Sequence, residues 1–124
     1  MLLGGIVSCN NDDDCPKSGT AGAGGAVKLS GFVRHHEQEI ANARVFIKYG
    51  ATEFPGDDTT AYDAAVSADG GAYYEFSGLN AGDYYLFAAG FDSTISLPVD
   101  GGVPVEICDG AQSVQRNIPV TEDH

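Results

Sequence analysis

From Val27 onward, apolar and polar side chains trade places with a period of two, the spacing that sends successive residues to opposite faces of a β-strand. Val27, Leu29 and Val33 alternate with Lys28, Ser30 and Arg34 across Gly31, which predicts a half-buried strand. His35-His36-Glu37-Gln38-Glu39 is polar and reads as the connection to the next one. Ala43, Val45, Ile47 and Tyr49 then alternate with Arg44, Phe46 and Lys48. A long loop over 50–63 carries the turn signal Pro55-Gly56-Asp57-Asp58, and a short edge strand is predicted over 62–67. Ala68-Asp69-Gly70-Gly71 turns into Tyr73-Tyr74-Glu75-Phe76, and Leu79 and Gly82 mark a tight crossing. Tyr84, Leu86 and Ala88 alternate with Tyr85, Phe87 and Ala89, further strands are predicted at 103–107 and 114–120, and 94–97 carries only a weak signal. No window has a helical period. Strand signals at intervals of roughly 8–12 residues predict an all-β sandwich of about seven strands.

Parity also assigns the core. Tyr74 and Phe76 share one face, as do Tyr84 and Leu86, with Leu79 at the corner between them. Gly70 and Gly71 are expected to supply the positive φ of a tight hairpin. The run Asp69-Gly70, Tyr74-Glu75-Phe76, Gly78-Leu79, Gly82-Asp83-Tyr84-Tyr85-Leu86 resembles a carboxypeptidase regulatory-like domain. Leu29-Ser30-Gly31-Phe32-Val33 and the segment 40–47 match that family's opening strands, so the resemblance covers residues 27–90. The chain departs from the pattern where Ala72 and Tyr73 both separate Gly71 from Tyr74, an extra residue that a bulge or longer turn absorbs. The resemblance implies an Ig-like, prealbumin-like sandwich and no catalytic residues, since the shared motif is architectural. A spacer, a folding aid and a binding platform are all roles for such a module, and fold alone decides none of them.

Ahead of the domain, Ile6-Val7-Ser8-Cys9 follows an apolar stretch and resembles a lipobox, with Cys9 as the acylated residue. Residues 1–8 are then expected to be a truncated signal peptide, lacking the basic opening such signals carry. Asn10-Asn11-Asp12-Asp13-Asp14 is similar to the acidic export tag of some Gram-negative surface lipoproteins. Residues 9–25 are expected to form a disordered, Gly/Ala-rich tether, with the globular part occupying 26–124. The expected address is the outer membrane, at the cell surface or on the periplasmic face, with acyl chains as the anchor.

Composition narrows the function. Six Lys and Arg against 18 Asp and Glu leave a net charge of −12, which argues against a nucleic-acid partner. With Cys9 lipidated, Cys15 and Cys108 remain as an even pair in an exported chain and are expected to form a disulfide. No Gly-x-Ser-x-Gly, phosphate-binding loop or His-Glu-x-x-His is present, and the chain has only three His, so no catalytic set is assigned. A Lys–Asn crosslink between Lys28 and Asn117 is excluded by parity, which turns both outward. His35 and His36 with Glu37 and Glu39 gather metal-ligand types, but neighbouring residues on a strand point apart, so a solvated hairpin tip is expected and no metal or cofactor is assigned. Asp57, Asp58, Asp63 and Asp69 offer oxygen ligands without calcium-loop spacing. Tyr49, Phe54 and Tyr62, beside Asp57 and Asp58, make the 50–63 loop the best candidate binding site. The expectation is a non-catalytic exported interaction module with a protein or glycan partner, accessory to outer-membrane uptake or adhesion. The alternative is a calcium- or carbohydrate-binding protein using that loop.

Overall fold

The computed structural model describes residues 15–122, so Cys9 and the acidic run 10–14 lie outside the described residues, as does His124. The elements are β1 (Ala23–His35), β2 (Gln38–Glu39), β3 (Arg44–Tyr49), a 3-10 turn (Thr59–Ala61), β4 (Ala64–Ser67), β5 (Tyr73–Leu79), β6 (Gly82–Asp92), β7 (Leu97–Ile107), β8 (Ser113–Gln115) and β9 (Ile118–Pro119). They form two sheets. In one, β1 is the spine: β5 and β2 pair with it antiparallel, and β8 and β9 pair with it in parallel. The other runs in the order β4–β3–β6–β7, all antiparallel.

Alternation decides which side chains meet between the sheets. Leu29, Val33, Tyr74, Phe76 and Leu79 from the first sheet pack against Val45, Ile47, Tyr84, Leu86 and Val105 from the second, all buried. The residues that parity assigned to the core are therefore in it, and the fold is an all-β, two-sheet sandwich. Lys28 and Asn117 are both exposed, away from that core.

Three local expectations change. The positive φ of the hairpin after Asp69 falls on Ala72 (70°), not on Gly70 or Gly71. The organiser is Asp69, whose carboxylate accepts from the Gly71 and Tyr73 backbone N–H groups at 2.8 and 3.0 Å. Ala72 in the left-handed region thus absorbs the extra residue before Tyr74. Secondly, β7 begins at Leu97, well before 103, because the Asp92 carboxylate closes the preceding turn by accepting from Thr94 N–H and Oγ1 at 2.9 and 2.5 Å.

The third change concerns the tether. Residues 15–25 are fastened to the domain. Sγ atoms of Cys15 and Cys108 are bonded across a sequence separation of 93. Asp109 N–H donates to the Pro16 carbonyl at 2.7 Å, and Lys17 Nζ lies 3.3 Å from Asp83. Asn80 donates to the Thr20 and Ala23 carbonyls, and the Tyr84 hydroxyl accepts from Gly22 N–H at 2.9 Å while donating to the Asn80 carbonyl at 2.6 Å. The last bond has the form of the tyrosine corner that ties a sandwich strand to the chain just upstream. Gly82 is required here, since a Cβ would lie 2.7 Å from the Ala21 Cβ. A Gly/Ala composition that reads as spacer serves close packing instead.

Candidate functional site

Two places on the molecule gather chemistry. The first lies on the outer face of the second sheet. β3 and β6 turn Phe46, Tyr85 and Phe87 away from the core, and the 50–63 loop folds back over them. Phe54 packs 5.6 Å from Phe87 and 6.0 Å from Tyr85, ring centre to ring centre, while Tyr62 stacks on Phe87 at 5.9 Å. Phe87 is only 4% exposed beneath this cover, whereas Phe54 remains 53% exposed. Beside Phe54 opens a cleft of about 370 Å³, lined by Phe54, Asp57, Tyr85, Phe87, the 100–102 segment and Thr121. Its floor is tight: a Cβ on Gly102 would sit 2.5 Å from the Leu86 carbonyl oxygen and 2.6 Å from the Tyr85 ring. That glycine lets Tyr85 lie flat across β7.

The five loop residues singled out in the sequence have different fates. Phe54 and Asp57 line the cleft. Tyr62 props it from beneath, its hydroxyl donating to the Gly56 carbonyl at 2.8 Å, with burial pushing its pKa up to about 12. Asp58 caps the 3-10 turn, accepting from Thr60 Oγ1 and N–H at 2.6 and 3.1 Å, bonds that hold its carboxyl below the ordinary range. Tyr49 faces the other way, edge-on to Tyr84 at 5.8 Å, and belongs to the rim of the core. The candidate calcium carboxylates do not converge. Asp58 and Asp69 serve their own turns, and Asp63 accepts from Tyr49 N–H at 2.7 Å near Lys48. Tyr85 and Phe87 were missed because alternation assigns outward residues to solvent. The available signal was the aromatic pair at those outward positions, opposite a loop carrying two more rings.

The second place is the far end of β1. His35 is buried, not part of a solvated tip, and both of its ring nitrogens meet carboxylates. Nδ1 lies 2.8 Å from Asp92 Oδ2 and Nε2 lies 2.5 Å from Glu122 Oε1. A carboxylate at each ring nitrogen favours the doubly protonated, charged ring. The Asp92 bond, opposed by burial and helped by Glu122, raises its pKa above the ordinary value. Asp92 is held low first by Thr94 and then by His35, and Glu122 first by its own backbone N–H and then by His35. The Asp92–His35 pair resembles the orienting half of a hydrolytic triad, yet Nε2 faces a carboxylate where a nucleophile would have to stand.

His36 overturns the parity argument that separated the two histidines. Its φ of 58° takes it out of the strand, and its ring comes back to 4.6 Å from that of His35. Among the described residues, His35, His36 and Glu122 form the one group of three or more His, Cys, Asp or Glu that could share a metal ion, with ligand atoms within 4.8 Å of one another. Glu37 and Glu39, the expected carboxylates, are not in it. Glu122 is distant in sequence from both histidines, so spacing held no signal for it.

No family model matches the chain, and no curated protein matches it. Among solved structures, the major pilin subunit of Bacillus cereus is similar over 79% of this chain, with 14% identity and a TM-score of 0.48. The chain spans 30% of that subunit's length. No helix among the described residues is long and apolar enough to cross a membrane.

Proposed function

We propose that the chain is an exported, non-catalytic interaction module of carboxypeptidase regulatory-like type, carried on acyl chains at Cys9, that grips a saccharide in the Phe54 cleft. The carrying observation is the wall of Phe54, Tyr85 and Phe87 beside Asp57 in a cleft of about 370 Å³. Sugars offer C–H faces to aromatic rings and hydroxyls to carboxylates, so an apolar wall with acceptors at its rim matches their two-sided chemistry. Phe54 gives the ligand a face that the protein's own packing leaves uncovered. A placement outside the cell, accessory to uptake or adhesion, is supported by the lipobox-like Ile6-Val7-Ser8-Cys9 and the acidic run after it. Calcium has weaker support, because Asp58, Asp63 and Asp69 are engaged in separate local contacts.

The test is calorimetric titration of the chain with a panel of soluble oligosaccharides, repeated on Phe54→Ala. Binding by one saccharide class that weakens about tenfold or more in the variant is expected, as for loss of a central aromatic contact. Silence across the panel, or equal binding by the variant, would overturn the reading. Protease treatment of intact cells bearing a C-terminally tagged chain tests the address: loss of the tag is expected for surface display, and protection would contradict it.

A further inference from the structure

We propose that His35, His36 and Glu122 bind a divalent transition-metal ion of the zinc type, independently of the aromatic cleft. The donors are two imidazoles and a carboxylate, a set suited to zinc, with a fourth position left for water. Their ligand atoms lie within 4.8 Å of one another. Tetrahedral bonds of zinc length require donors roughly 3.3 Å apart, so a small closing movement completes the site. The residues that must move are free to do so: His36 and Glu122 are exposed, while His35 is fixed.

The fixing of His35 is the second, independent observation. Its Nδ1 is bonded at 2.8 Å to Asp92, a carboxylate only 2% exposed and itself anchored by Thr94. Metal-bound histidines characteristically give their other ring nitrogen to such a carboxylate, which sets the tautomer and aims the ligating nitrogen. Here Nε2 is thereby aimed outward, at Glu122 and toward His36. A zinc ion bound there takes the place of any Nε2 proton, which is released to solvent, and of the Nε2–Glu122 hydrogen bond. A hydrogen-bonded clasp needs only His35 and its two carboxylates. It leaves out His36, which the two-residue turn between β1 and β2 places with its ring 4.6 Å from that of His35. An ion seated there would join the turn after β1 to the chain end after β9.

The test is titration of zinc chloride into the tag-free full chain, followed by calorimetry and thermal melting. One ion per chain and a raised melting temperature are expected. His36→Ala and Glu122→Gln alter exposed residues, so both variants should fold, and together they should abolish the zinc-dependent rise. Asp92→Asn, which weakens the support behind His35, should lower affinity by about tenfold or more. No stoichiometric binding, or binding that survives in the His36→Ala/Glu122→Gln double variant, would overturn the proposal.

Discussion

The two ends of the sandwich are closed by different chemistry. At the start of β6, Tyr84 and Asn80 bind the chain entering β1 through uncharged hydrogen bonds, and the Cys15–Cys108 bond holds the same segment covalently. At the other end of β6, Asp92 grips His35, and Glu122 brings the last described residue onto the same ring. About 26 Å of strand separates Tyr84 from Asp92 at the usual rise per residue. The first end is indifferent to pH across the physiological range. The second places a histidine between two carboxylates, an arrangement that strengthens when the ring is charged, and so responds to protons.

The largest effect expected from breaking this contrast is at the disulfide. Replacing both Cys15 and Cys108 by Ala should cost up to ~4–5 kcal/mol, since the bond closes a long loop of the unfolded chain. Chemical denaturation measures it, and an unchanged midpoint would mean the entering strand is held by its hydrogen bonds alone. Tyr84→Ala comes next, at roughly 3–5 kcal/mol for a fully buried aromatic. Tyr84→Phe sharpens the point by keeping the ring: loss of the hydroxyl, which serves both Gly22 and Asn80, should cost about 1–3 kcal/mol. Equal stability of the Tyr84→Phe variant and the parent chain would reduce the corner to packing.

At the charged end the expected effect is a slope. His35 has a raised pKa, so its contribution is complete below its ordinary value of 6.5 and is lost as pH rises through the raised value. Asp92 and Glu122 are lowered, so theirs is complete above the ordinary values of 3.8 and 4.5 and is lost as pH falls through the lowered ones. Melting temperature should therefore hold a plateau from mildly acid pH to about 6.5, decline between 6.5 and the raised His35 value, and level off above it. His35→Gln should remove that decline. An identical alkaline limb in the variant would assign the slope to other groups.

The core was legible because alternation depends only on neighbours in the chain: Tyr74, Phe76, Tyr84 and Leu86 point inward as their spacing required. Features built by distant segments were not. His35 reads as polar and exposed until Asp92 and Glu122 arrive from β6 and from beyond β9. His36 escapes strand parity through one left-handed residue. Half of the cleft was visible, in Phe54 and Asp57, because aromatics and carboxylates in a long loop stand out. The other half, Tyr85 and Phe87, lies in a strand whose outward face looked solvated until the loop folded over it.

The most direct test of the interaction-module account is an isotope-labelled NMR titration of the full chain with the saccharide class selected by calorimetry. Shifts should cluster at Phe54, Asp57, Tyr85, Gly101 and Gly102, leaving Gly22 and His35 at the two ends unmoved. Shifts confined to either end, or scattered without reaching Phe54, would contradict the assignment of the cleft as the binding surface.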